Sequence, residues 1–142
     1  MEQSPAPCPV SGMLPGEIAE EHRMLPYQGR QVFQWIHRKG ASSFDEMSSL
    51  SRDLRARLSR ETVFPATRVS KIQGSQASGT RKALLLLHDN ECIESVLIPD
   101  RNRHTVCISS QVGCPLKCAF CATGLSGYKR NLNAAEIVEQ VL

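Results

Sequence analysis

CISSQVGCPLKCAFCATGLSGYKR, residues Cys107 to Arg130, holds four of the chain's six cysteines and no acidic residue. How those thiols are read decides the fold. Three of them, Cys114, Cys118 and Cys121, are spaced C-x3-C-x2-C. On an ideal helix the three positions share one face, which would make them a stripe of small buried hydrophobes. Gly113 before the first and Pro115 after it favour a loop instead. A loop can wrap three sulfurs around a compact iron–sulfur cluster, whereas a straight helix cannot. A structural zinc site normally takes four protein ligands in paired C-x2-C form, and no fourth Cys or His stands at suitable spacing. Three thiolates leave one coordination position open.

Composition sets the context for that loop. With 142 residues, 41% of them hydrophobic, the chain is globular rather than disordered. No apolar run reaches the length of a membrane span, and the opening MEQSPAPCPVSGMLPGE has neither the basic nor the apolar region of a secretory signal. A cytoplasmic protein with no membrane partner is expected, and in a reducing compartment clustered thiols serve metal or redox chemistry more often than structural disulfides. The net charge of +3 is unevenly spread. Residues 23–60 carry eight basic and three acidic side chains, and residues 101–130 carry five basic and none acidic. Either block suits a polyanion such as RNA, and either also reads as a solvated face. A monomer is expected, although no visible heptad or edge encodes the oligomeric state.

Upstream, residues 1–13 are rich in Pro, Ser and Ala and read as a flexible tail, with order beginning near Leu14. A first helix with Leu14, Ile18 and Leu25 near one face should end by Pro26. GRQVFQWIHRKG then gives a second, with Val32, Phe33 and Ile36 inward, Trp35 anchoring the packing and Gly40 as its stop. Ser43 and Glu46 have the form of a capping box, and Leu50, Leu54 and Leu58 make the apolar stripe of a further helix. Residues 14–62 are therefore expected to form a small helical domain. Residues 63–99 follow as a β-hairpin connection, RKALLLLHDNECIESVLIP reading as two strands around Asp89 and Asn90. Cys92 fits a small buried strand residue. Glu94 shares a side with Cys92, Val96 and Ile98 and, on the residues alone, reads as a solvent-facing charge on an edge strand. HTVCISS is the next strand, with Cys107 on its polar side, and NAAEIVEQVL the next helix. Cys8 has no role legible here.

The cysteine loop, with the aromatic Phe120 before its third cysteine, resembles the signature loop of the radical S-adenosylmethionine superfamily. SSQVGC before it, FCATGLSGYKRNL after it and the early RQVFQWIHRKGASSFDEM are similar to RlmN-type dual-specificity RNA methyltransferases, from about Leu14 onward. That resemblance implies an α/β fold: a small helical domain, a β-hairpin connection, then residues 100–142 as the first βα unit of a radical SAM partial barrel. It implies a [4Fe-4S] cluster on Cys114, Cys118 and Cys121, S-adenosyl-L-methionine on the open iron, and Phe120 beside its adenine. It implies methylation of carbon 2 of adenosine in 23S rRNA and some tRNAs through a methyl-cysteine, with an electron donor for the cluster. Cys107 matches the family's lone cysteine ahead of the loop, a thiol that forms a disulfide with the methyl-carrying cysteine during release; Glu94 matches a glutamate fit to accept a proton.

A barrel of repeated βα units takes on the order of 200 residues or more, so residues 101–142 supply one such unit. The methyl-carrying cysteine has no counterpart in the chain, which reads as an N-terminal fragment, inactive alone. The strand near Thr105 is expected to have an unpaired edge and the last helix little to pack on. Methylation of carbon 8 by the related family, and a non-catalytic metal-binding RNA module, are the alternative readings.

Overall fold

A computed structural model describes residues 9–142, which divide into two compact units, one running through Ala66 and the other from Thr67 to Val141.

The first unit is built from three helices, α1 (Pro15–Glu21), α2 (Pro26–His37) and α3 (Arg52–Glu61), with 3-10 turns at Val10–Gly12 and Phe44–Glu46. The first helix has ended by Pro26, as expected, and Pro26 itself opens the second, since its fixed φ and missing N–H suit the first helical position. Leu14 and Leu25, expected inside, are the exposed N-caps of α1 and α2, and their backbone N–H groups donate to the side chains of Glu17 and Gln28. The core is Ile18, Val32, Ile36, Phe44, Met47, Leu50, Leu54 and Leu58, joined by Val10 and Met13. Val10 is 0% exposed, so order starts before Leu14 and the tail reading fails for residues 10–13. Residues 1–8, Cys8 among them, lie outside the described residues. Helices α1 and α2 cross at Gly29, where a Cβ would stand 2.3 Å from the Pro15 carbonyl oxygen.

Trp35 lies at the edge of this core, its Nε1–H donating to Ser49 Oγ at 2.8 Å and Lys39 covering its ring. Ser43 precedes the 3-10 turn without capping it; its hydroxyl donates to the Glu46 carboxylate at 3.5 Å, and that carboxylate also accepts from the hydroxyl and backbone N–H of Ser42. The Ser42 hydroxyl holds the Glu46 carboxyl below its usual range. Ser51, not foreseen from the sequence, caps α3 by accepting from Leu54 N–H at 3.3 Å.

The second unit is a four-stranded antiparallel meander in the order β1 (Thr67–Gly74), β2 (Arg81–Leu87), β3 (Cys92–Asp100), β4 (Arg103–Cys107). The hairpin foreseen around Asp89 and Asn90 is its centre, and Asn90 takes the φ of +64° that the turn needs. β3 is thus an interior strand, so Glu94 is not on an edge. One sheet face carries Leu85, Leu87 and Ile93 into a core shared with Val112 and Leu132, with Ala83 and Ile137 packed against it. The opposite face is open, and it holds Cys92, exposed rather than buried as expected, because its neighbour Ile93 takes the inward position.

After Cys107 the chain leaves the sheet. A short ladder of β5 (Gln111–Val112) and β6 (Arg130–Asn131) closes the cysteine loop at its base, with α4 (Ala122–Leu125) inside the loop and α5 (Ala134–Val138) after it. The last helix does find packing. Ala135 and Glu136 are buried, and Gln140 pairs with Ser109, accepting from its N–H at 2.7 Å and donating to its carbonyl at 2.9 Å, so a side-chain amide satisfies both backbone groups of Ser109. Among the described residues no helix is long and apolar enough to cross a membrane.

Candidate functional site

Registry places Glu94 and Cys107 together. Val96 faces Cys107 across β3 and β4, and Glu94, two residues before Val96, lies on the same face. The two residues are therefore diagonal neighbours on the open side, at the separation that long side chains bridge. Ser109, just past β4, donates its hydroxyl to the Glu94 carbonyl at 2.8 Å and holds the exit of the strand against β3. Lys82 Nζ stands 2.8 Å from Glu94 Oε1, and Lys71, Gln73, Lys82, Leu84 and Glu94 line a groove of about 200 Å³.

The loop carrying Cys114, Cys118 and Cys121 begins at Gly113, whose φ is +73°. A Cβ there would fall 1.7 Å from the Gly127 carbonyl oxygen, so only glycine lets the two arms of the loop meet. Cys114 N–H donates to that same carbonyl at 3.1 Å, and Lys129 N–H to Val112 O at 3.0 Å. Cys118 and Cys121 bracket a turn, Cys121 N–H donating to Cys118 O at 3.1 Å, and Cys121 is the N-cap of α4. All three thiols are half-buried, and the five described cysteines are free of disulfides. Phe120 projects with 94% of its surface exposed.

Donor chemistry favours a cluster more strongly than the loop geometry does. Three soft thiolates from one loop fit iron–sulfur ligation, and no competing imidazole or carboxylate lies among them. Yet among the described residues no three His, Cys, Asp or Glu side chains converge as a metal cage. The donor set fits the group by its chemistry.

Sequence reasoning missed what anchors that loop. Arg130, at its exit, forks onto Glu136 with two contacts of 2.8 Å and sends Nε to Asp89 Oδ2 at 2.7 Å. Lys129 reaches Glu91 Oε2 at 2.7 Å. Two of the five cations in the acid-free block are thus spent on the hairpin turn and α5, and Arg103 faces Asp100 at 3.4 Å. The block looked free for a polyanion because its partners lie in other segments. Burial pushes the Glu136 carboxyl up, but hydrogen bonds from Arg130 and the Asn133 backbone more than offset it and hold it below its usual range. The Arg130 guanidinium likewise holds Asp89 down. Asn133 followed by Glu136 was legible as a capping box, and each accepts from the other's backbone N–H at 2.9 Å.

With that geometry in view, the class is set by likeness of fold. The chain superposes on a radical SAM methyltransferase from Sphaerobacter thermophilus with a TM-score of 0.90 and 36% identity, over 95% of this chain and 40% of that one. Residues 18–64 match the family model described as "Ribosomal RNA large subunit methyltransferase N-terminal domain". Among curated proteins, the dual-specificity RNA methyltransferase RlmN of Halorhodospira halophila is 50% identical over 116 residues, 81% of this chain and 32% of that protein. RlmN of Marinomonas sp. is 47% identical over 135 residues, 92% of this chain and 36% of that protein. Over most of its own length the chain is similar to RlmN proteins, and it spans about a third of the length of these curated relatives.

Proposed function

We propose that the chain is part of a radical SAM enzyme that methylates carbon 2 of adenosine in 23S rRNA and certain tRNAs. The helical unit through Ala66, with Val10 and Met13 in its core, is its N-terminal domain, the strands from Thr67 to Asp100 are a connection, and the residues after them open the catalytic core. Cys114, Cys118 and Cys121 hold a [4Fe-4S] cluster, and Phe120 offers its exposed ring to the adenine of S-adenosyl-L-methionine. The bound group supplies one-electron cleavage of the sulfonium, fed by an external electron donor.

The chain's own residues then have defined work. Cys107, exposed on the open face, attacks the sulfur of a cysteine elsewhere in the complete enzyme that carries the modified base, and the resulting disulfide releases the RNA. The S–S bond forms as the bond from that sulfur to the methylene of the modified base breaks, the carbon keeping the electron pair and taking up a proton; Glu94, on the same face, accepts the proton lost from carbon 2 before release. The observation that carries this reading is the shared open face of Glu94 and Cys107 immediately ahead of a loop bearing three free thiols.

Anaerobic reconstitution with iron and sulfide tests it. Replacing Cys114, Cys118 or Cys121 by Ala should remove most of the iron and the brown absorption, and Cys107→Ala should keep both. Equal iron loss in Cys107→Ala would overturn the division of labour, and a wild-type chain that takes up no iron points to a non-catalytic RNA-binding module.

A further inference from the structure

Three cations scattered in sequence come together on the open face of the sheet. Arg68 stands opposite Leu86, which faces Cys92; Lys71 stands opposite Leu84, which faces Glu94; Lys82 lies between Gln73 and Val96, and Val96 faces Cys107. Directly opposed residues project to one side of a sheet. A bulge between Val69 and Lys71 makes this possible. Val69 is paired with Leu85 of the buried face, and strict alternation would carry Lys71 and Gln73 to that same side. The extra residue re-aims both onto the open face. With Arg103 at the far end, the face presents four cations against two carboxylates, Glu94 paired to Lys82 and Asp100 paired to Arg103. Arg68 and Lys71 are exposed on the outer strand, beside a groove whose floor is Leu84.

We propose that this face is where the RNA strand lies, its phosphates on Arg68 and Lys71 at the outer strand and its bases running over Leu84 toward Glu94 and Cys107. The inference rests on the RNA methyltransferase reading and adds the surface that reading lacks. A cationic margin beside an apolar floor is the arrangement that single-stranded nucleic acid uses, with phosphates tracked by charge and bases laid on carbon. Of the five cations in residues 101–130, Lys129 and Arg130 are spent on holding the cysteine loop, so that block offers a polyanion less than its composition suggests.

Fluorescence anisotropy of the 142-residue chain with a fluorescein-labelled RNA hairpin bearing unpaired adenosines tests the surface. Arg68→Gln/Lys71→Gln should weaken binding by about tenfold at moderate salt and lower the slope of log affinity against log salt by about 0.7 per cation removed. Both side chains are exposed, so unfolding curves should match wild type, and the single variant Lys71→Gln serves if the pair disturbs the strand. Arg30→Gln/Arg52→Gln on α2 and α3 should leave affinity and slope unchanged. If the sheet variant binds as wild type while the helical variant loses affinity, the proposed surface is wrong and the RNA reading stands. If the wild-type chain binds no RNA, both fall. Tight binding of a polyglutamate peptide that displaces the RNA would make the face a dock for acidic protein instead, and would overturn the proposal.

Discussion

The two units of this chain are held together by different physics. In the helical unit, Val32, Ile36, Leu50, Leu54 and Leu58 bury an apolar stripe, and charged groups stay at its margin. In the sheet unit the apolar core is small, and the cysteine loop is fastened by Arg130, Lys129, Asp89, Glu91 and the fully buried Glu136. An apolar core tolerates imperfect partners, since each contact is weak and non-directional. A buried carboxylate does not tolerate losing its partner, because a charge away from water needs compensation close by.

The sharpest way to break that comparison is Arg130→Met. It strips the fork from Glu136 and should cost about 3–5 kcal/mol, the range for orphaning one member of a buried pair. Chemical unfolding of the sheet unit measures it. Arg130→Met/Glu136→Leu should recover much of the loss by removing the stranded charge along with its partner. A cost below about 1 kcal/mol for the single variant would mean the loop is held by packing after all.

Leu58→Ala asks the matching question of the helical unit. Leu58 is 0% exposed, and its truncation should cost about 3 kcal/mol through lost burial and a residual cavity. Here there is no stranded charge whose removal could rescue the protein, and in that respect the helical unit differs from Arg130 and its partners. Recovery through any polar partner would erase the difference.

The same difference explains what could be read from the sequence. Periodicity marks Val32, Ile36, Leu54 and Leu58 because an apolar stripe is a local pattern, and all of them are buried. Val10 escaped because a single apolar residue among prolines has no period to betray it. The hairpin was legible from Asp89 and Asn90, and Glu94 and Cys107 fall on one face as their strand positions imply. The ion network was not legible. Asp89 meets Arg130 across 41 positions and Glu91 meets Lys129 across 38, and nothing local in either segment names its partner. The bulge at Ser70 was equally hidden, though it decides which way Lys71 points.

Acid should separate the units in two windows. Burial pushes the His37 imidazole below its usual 6.5, so its folded pKa is depressed. The stability it contributes is fully present above 6.5 and declines as pH falls toward the folded value. Asp89 and Glu136, with usual values of 3.8 and 4.5, are also depressed in the fold. Their contribution is present above those values and is lost as pH falls through the lower folded ones. Fluorescence of Trp35, the only tryptophan, reports the helical unit, and amide exchange near Arg130 reports the loop. Loosening should reach the helical unit first, below 6.5, and the loop exit only below about 4. Loop loosening that tracked Trp35 would mean the two units are not separate in this respect.

The smallest expected effect lies within the sheet unit and sharpens the contrast between its two sides. Lys82 and Glu94 form an ion pair of 2.8 Å, as short as the fork on Glu136, but their side chains are 43% and 52% exposed. Solvent screens such a pair, and holding two long side chains in one geometry offsets much of what remains, so exposed pairs contribute about 0.2–1 kcal/mol. Lys82→Met should therefore shift unfolding by less than about 1 kcal/mol, against the several expected for Arg130→Met. Under the proposed function this pair, on the same open face as Cys107, acts on what binds there rather than on the fold. In the complete enzyme Lys82→Met should lower turnover far more than stability, and Lys82→Arg should restore part of it by returning a cation to Glu94. Loss of stability in step with loss of turnover would assign the pair to the fold, and would remove the distinction between charges that hold the loop and charges that face the substrate.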